Sequence, residues 1–286
     1  FENTEYQAQN QHTGEVFTLK TETPVDAVNY PVKGFDLLPD LELGLTTSFN
    51  FLTVAQSGPR KNLHNTIKWF IEEFRNEDVG LVVKSNISKN CLMDRQKLLG
   101  DMQRFLRQQG ERQCKVYLLH GDMTDQEMHS LYRNPQIDAF VSLPHGEGFG
   151  LPLFEAAYSE LPVVTTGWSG QLDFLVDENG NERFYNVSYD LQQVQKEVVW
   201  DGVITDDSMW AYPREESAKQ QMRTCYENLN NEELAGTAQI DLEHFAMSLS
   251  ERFSPERLYE QFVDSVLMKV ENEQMNEEIS DLLAGL

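Results

Sequence analysis

Short runs rich in β-branched and aromatic residues alternate with longer amphipathic runs from about residue 49 to residue 166, and no other feature constrains the fold as strongly. FNFLTVAQ (49–56), VGLVVKS (79–85), KVYLLHG (115–121), AFVSLPH (139–145) and PVVTT (162–166) read as strands. Nearly continuous apolar runs of this length suit strands covered on both faces. Between them, NLHNTIKWFIEEF (62–74) sets Leu63, Ile67, Phe70, Ile71 and Phe74 at helical spacing, and MDRQKLLGDMQRFLRQQ reads as the next helix. Thr124 and Glu127 have the spacing of a capping box for a third helix, and PLFEAAYSE is a short fourth. Strands and helices in this alternation predict an α/β fold with a doubly wound parallel sheet. Beyond Gly167 the pattern weakens: DENGNERFYN reads as a turn-rich loop and VVWDGV as a strand or edge segment. C-terminal helices are expected from PREESAKQQMRTCYENL onward, one of them with Ser254 as N-cap and Pro255 at its first position.

Charge narrows the choice of partners. With 47 acidic against 23 basic residues, a net charge of -24, the average surface repels nucleic acid and anionic lipid. An anionic ligand therefore requires local cations or backbone N–H groups. Cys91, Cys114 and Cys225 are odd in number, widely spaced and free of a C-x-x-C pattern, which argues against a disulfide framework or a zinc site and for a reducing, cytoplasmic setting. No apolar run approaches the roughly 18 residues of a membrane helix, so a soluble protein is expected. The sequons at Asn86 and Asn186 are read as chance occurrences. FENTEYQAQNQHTGE, which opens the chain, shows neither helical nor strand periodicity.

Ligands of open α/β sheets bind outside the carboxyl ends of the strands. Those positions hold Arg60 and Lys61, Lys84, His120 to Asp122, the stretch from His145 to Leu151, and Thr165 to Gly170. In HGEGFGLPLFEA (145–156), Gly146, Gly148 and Gly150 let a backbone approach a ligand, and Pro152 suits the first turn of a helix. Amides around Phe149, Gly150 and Leu151, with the helix dipole behind them, suit a diphosphate. Arg60 and Lys61 supply cations from the neighbouring turn, while Glu147 and Glu155 suit sugar hydroxyls on either side. Plainer readings stay open: Glu155 as a helix N-terminal charge, Glu147 and Lys84 as solvated groups, His120 and His145 as loop hydrogen bonders, Phe149 and Trp168 as packing.

The stretch HGEGFGLPLFEA resembles the E-x7-E motif of the retaining GT-B glycosyltransferases of family 4. NYPVKGFD, FLTVAQSGPRKNL, VYLLHGDMTDQEMHSLYRNPQIDAFVSLP and PVVTTGWSGQLDFL are similar to other segments of that family, so the resemblance covers about residues 24 to 176. It implies the Rossmann-like C-terminal half of a GT-B fold: an N-terminal remnant or interdomain segment (1–23), a nucleotide-sugar-binding domain (24–270) and an acidic tail or docking helix (271–286). It further implies that Glu147 contacts the donor sugar, Glu155 the ribose, the amides near Phe149 to Leu151 the diphosphate, and Lys61 the leaving nucleotide. Many members carry Gly-Arg where this chain has Ala55-Gln56, so the expectation is that either Arg60 or Lys84 substitutes or the donor is bound weakly. The implied function is transfer of a hexose from a nucleotide diphosphate sugar to an unknown acceptor with retention, by an enzyme that also needs an N-terminal GT-B domain and is inactive without it. No cofactor and no obligatory metal are expected. The alternatives are a noncatalytic sugar-nucleotide-binding module and a nonhydrolysing sugar-nucleotide epimerase.

Overall fold

The computed structural model describes residues 5–9, 16–20 and 43–266, the first two segments as backbone only. These pair as an antiparallel hairpin, β1 (Glu5–Gln9) with β2 (Val16–Lys20), so part of the opening stretch without periodicity is extended. The segment NYPVKGFD and the tail proposed over 271–286 lie outside the described residues.

All five expected strands form: β3 (Phe49–Val54), β4 (Val79–Lys84), β5 (Lys115–Leu119), β6 (Ala139–Ser142) and β7 (Val163–Thr166). A sixth, β8 (Tyr185–Val187), extends the sheet from the end of the stretch read as a loop. The order is β5-β4-β3-β6-β7-β8, and every neighbouring pair is parallel. The chain thus winds outward one way from β3 and then the other way from β6, whose registers meet at Phe51 with Ala139 and Leu52 with Phe140. That reversal makes a Rossmann-like sheet with a crevice between β3 and β6.

Alternation along each strand divides the core into two layers. Phe49, Phe51, Leu81, Val83, Val116, Leu118 and Val141 face one side, against α1 (Leu63–Phe74), α2 (Leu92–Gln108) and α6 (Glu215–Asn230). Leu52, Val82, Tyr117, Leu119, Phe140 and Val163 face the other, against α3 (Asp125–Tyr132), α4 (Leu151–Tyr158), α5 (Leu172–Leu175) and α7 (Glu232–Arg252). On α1 the expected stripe of Leu63, Ile67, Phe70, Ile71 and Phe74 is buried. Each such side chain contributes about 1.5–3 kcal/mol on burial. Arg223 of α6 clamps this layer, its guanidinium 4.5 Å from the Phe74 ring centre and bonded to Glu73 and Glu77 of the α1 end.

The expected caps form. Thr124 Oγ1 accepts from the Glu127 amide while the Glu127 carboxylate accepts from the Thr124 amide, and Ser254 Oγ accepts from the Arg257 amide at 3.3 Å. VVWDGV is not a strand. Residues Lys196–Val198 form a 3-10 turn, and the chain folds back through Gly202 (φ +74°) to pair Trp200 with Ile204 by a single bridge. Around it, β9 (Tyr189–Gln193) and β10 (Met209–Pro213) make an antiparallel hairpin.

Candidate functional site

The turns after β3 and β6 flank the crevice. After β3, Pro59–Lys61 form a 3-10 turn that Asn62 ends in the left-handed region (φ +52°), with its N–H bonded to the Pro59 carbonyl at 3.1 Å. The His145 amide donates to the Arg60 carbonyl at 2.9 Å and ties this turn to the one after β6. Across that seam Lys61 Nζ donates to Glu147 Oε1 at 2.6 Å, and Arg60 Nη1 lies 2.9 Å from Glu147 Oε2. Arg60 Nη1 also donates to the Gly146 carbonyl at 2.5 Å. The Glu147 side chain is only 9% exposed, against 18% for Lys61 and 42% for Arg60. A carboxylate so enclosed requires such partners. Two cations and one anion leave the cluster with a local positive excess in an acidic chain, and a carboxylate has about four lone-pair sites, so Glu147 retains acceptor capacity for hydroxyls.

Beyond Glu147 the chain enters α4 through Gly150, whose φ of +93° suits a residue without Cβ. The backbone N–H groups of Gly148, Phe149, Gly150 and Leu151 have no acceptor among the described residues. A Cβ built on Gly148 would meet nothing within 4 Å. Open amides at a helix start, with the dipole behind them, can receive an anion. The Phe149 ring is packed against Phe154, Phe174 and Phe253, so this residue offers the crevice only its backbone.

The turn after β7 holds this stretch in place. Ser169 Oγ and the Gly170 amide both donate to the Glu147 carbonyl, at 2.7 and 3.1 Å, and Thr166 Oγ1 donates to the Pro144 carbonyl at 3.0 Å. Gly170 lies so close that an added Cβ would stand 1.9 Å from the Gly148 oxygen.

The remaining candidates sit elsewhere. Glu155, midway along α4, faces α3 across a cavity of about 200 Å³ whose wall includes Asp125, His129 and Tyr132. Burial raises its carboxyl above the ordinary range, the nearby Tyr132 hydroxyl works against this, and Asp125 adds to it. Lys84 donates to the Gly121 carbonyl at 2.5 Å and contacts none of Arg60, Lys61 and Glu147. Burial lowers its pKa, and Asp122 offsets part of that. Of the two cations expected to replace the family arginine, Arg60 is the one that reaches Glu147; Gln56 itself donates to the Ile87 carbonyl.

Both candidate histidines hold loops. His120 Nε2 lies 3.0 Å from Asp94, which also accepts from the amides of Ile87, Ser88 and Lys89. Burial alone would raise the Asp94 pKa, but the Ile87 and Lys89 amides, His120 and the Ser88 amide outweigh it and hold the carboxyl well below the carboxylate range. His145 is seated between Trp210 and Tyr212, with its amide and ring bonded to Arg60 and Ala211. Trp168 packs on Tyr189. Asp94 escaped the sequence reading, although an acidic residue in the first turn of a helix after the polar run SNISKNC was the available signal. Among the described residues, no group of three or more His, Cys, Asp or Glu side chains is placed to hold a metal ion.

A family model described as glycosyl transferases group 1 matches residues 43–198, from β3 through the crevice turns to the end of the sheet. The chain belongs to this family. Solved structures agree in fold. HepE of Anabaena, in complex with UDP and glucose, superposes with a TM-score of 0.52 at 17% identity, covering 79% of this chain and 50% of that one. The α,α-trehalose 6-phosphate synthase of Burkholderia multivorans gives 0.53 at 12% identity, over 82% and 45%. An E. coli trehalose-6-phosphate structure bound with UDP-2-fluoro glucose gives 0.52 at 12%, over 78% and 44%. At such identities the likeness concerns the fold, which is that of a Rossmann-like half of the GT-B glycosyltransferases. This family member thus spans half or less of the length of each of these three structures. No curated protein sequence matches it significantly. None of its described helices is long and apolar enough to cross a membrane.

Proposed function

We propose that this chain is the donor-binding part of a retaining glycosyltransferase that transfers a hexose from a nucleotide diphosphate sugar to an acceptor. The observation that carries the reading is the contact of Lys61 and Arg60 with Glu147 beside the open amides from Gly148 to Leu151. The chemistry requires a departing diphosphate to be stabilised next to a sugar ring that gains positive charge. Amides and the two cations suit the first demand, since preorganised donors aimed at developing charge act most strongly where water is thin. Glu147 is assigned a hexose hydroxyl, and its two cations the phosphate. Glu155 is assigned the ribose, on the α3 side of the same helix. UDP and glucose in the Anabaena neighbour, and the UDP-2-fluoro glucose bound in the E. coli structure, support a nucleotide sugar as ligand. Retention rests on the resemblance of residues 147 to 155 to the family motif.

A melting-temperature panel with UDP-, GDP- and ADP-sugars tests the donor, because a ligand specific to the folded state raises the melting temperature with its concentration. No rise with any of the three would overturn the reading. In the intact enzyme, Lys61→Ala and Glu147→Ala are each expected to lower turnover at least about a hundredfold, the loss typical of one preorganised electrostatic group. Near-wild-type turnover in either variant removes that residue from the mechanism.

A further inference from the structure

Strand β10 reaches the crevice turns through Ala211. In the hairpin with β9, the Arg214 amide donates to the Ser188 carbonyl and the Val194 amide to the Ser208 carbonyl, and Ala211 stands opposite Leu191. Alternation along the ladder makes this a non-hydrogen-bonded pair, so the amide and carbonyl of Ala211 face away from β9. Ala211 is fully buried, and both groups need partners there. His145 supplies both: the Ala211 amide donates to the His145 carbonyl at 3.0 Å, and His145 Nδ1 lies 2.9 Å from the Ala211 carbonyl.

A carbonyl only accepts, so Nδ1 carries the proton. The side chain here takes the part that a backbone N–H would take in a strand, because the His145 N–H is already committed to the Arg60 carbonyl at 2.9 Å. Trp210 and Tyr212 fix the ring from β10, with centres 5.5 and 4.3 Å away. Burial favours the neutral imidazole, against a smaller opposing effect of the Ala211 carbonyl, so an uncharged amide is its matching replacement. His145 thus joins β10, the turn after β3 and the stretch that leads to Glu147.

That junction bears directly on the ion cluster. The Arg60 side chain is 42% exposed, and an ion pair so open to water does not by itself fix two turns against each other. Thr166, Ser169 and Gly170 hold the Pro144 and Glu147 carbonyls from the β7 side, and Ala211 holds His145 from the β10 side. The family match ends at residue 198, before β10 begins at Met209. We propose that His145 is a positioning residue of the donor site, which locks β10 to the Arg60 carbonyl so that Lys61, Arg60 and Glu147 keep their register toward the diphosphate sugar. The assignment rests on the donor reading above and adds to it an element beyond the matched segment.

Calorimetric titration with UDP-glucose, GDP-glucose and ADP-glucose tests it on the full chain and on its His145→Asn, His145→Gln and His145→Ala variants, at a temperature where melts show the proteins folded. Asparagine sets an amide nitrogen where Nδ1 stands, whereas glutamine sets it one bond further out, near Nε2. A merely structural residue would change the melting temperature and leave the affinity of the folded protein alone. The dissociation constant of the tightest probe is expected to stay within about threefold of the parent in His145→Asn and to rise about tenfold or more in His145→Gln and His145→Ala, because misplaced turns lose alignment. The contrast between Asn and Gln decides the matter even where His145→Ala does not fold. If His145→Gln binds as well as His145→Asn, or His145→Ala binds as well as the parent, the positioning role is overturned and the donor reading stands. A parent chain that binds none of the three probes overturns the donor reading, and the positioning role with it.

Discussion

Replacing Gly170 by alanine tests whether the turn after β7 sets the geometry of the glycine stretch. The new Cβ would lie 1.9 Å from the Gly148 oxygen, 2.6 Å from its carbon and 3.0 Å from the Glu147 oxygen, all backbone atoms that no side-chain rotation can clear. Reaching ordinary contact needs a retreat of about 1.5 Å by one turn or the other. Overpacking of this kind costs about 1–3 kcal/mol. The bonds from Ser169 Oγ and the Gly170 amide to the Glu147 carbonyl are weakened too, at about 1 kcal/mol each if lost. A loss of about 2–4 kcal/mol follows, which for a domain of this size lowers the melting temperature by about 4–16 °C. Displacement by more than 1 Å also costs about a hundredfold in a reaction that depends on alignment. Gly148→Ala is the matched control, since its Cβ meets nothing within 4 Å. It is expected to melt within about 0.5 kcal/mol of the parent and yet to weaken donor binding, because the methyl group occupies the approach to the amides. Thermal melts with and without nucleotide sugar read both effects. If Gly170→Ala melts normally and binds donor normally, the turn after β7 does not position Glu147.

Two further substitutions separate stability from binding. Asp94→Asn should cost about 1–3 kcal/mol at neutral pH, measured by urea unfolding, because amides of the 87–89 loop lose a charged acceptor. Since the folded Asp94 pKa is depressed, its contribution is complete above the unfolded value of about 3.9 and is lost as pH falls through the folded value, so the variant should show a shallower acid limb; an unchanged limb contradicts the assignment. Glu155→Gln should have the opposite sign. A raised carboxyl pKa means that ionisation opposes folding, by an amount that grows as pH rises above the unfolded value, so the amide should melt at or above the parent temperature at pH 7 while donor affinity drops. A variant that melts lower and binds equally well would make Glu155 a structural residue.

The central strands were legible in the sequence because both of their faces are covered, and FNFLTV or VGLVVK leaves little choice of conformation. The elements beyond β7 were not. β8 contributes three residues around the polar Asn186, and β9 runs into exposed Leu191, Gln192 and Gln193, so neither carries a pattern that distinguishes strand from loop. VVWDGV has strand composition, but its Asp-Gly pair reverses the chain. Lys61 and Glu147 could be placed along one cleft from the sequence because each follows a strand, but their ion pair had no sequence signal. The division between Arg60 and Lys84 had none either: Lys84 ends β4, next to β5, and the carbonyl of Gly121 beyond β5 takes its ammonium. The contact of Gly170 with Gly148 depends on two backbones approaching within a methyl's width, for which sequence has no periodic signature.

Lys61 and Glu147 are separated by 86 positions, and the strands β4, β5 and β6 are all synthesised between them. A nascent chain has therefore laid down four of the six strands of its parallel sheet before the second partner leaves the ribosome. Until then the ammonium lacks its carboxylate, and the turn after β3 holds its cations without the anion that fixes them.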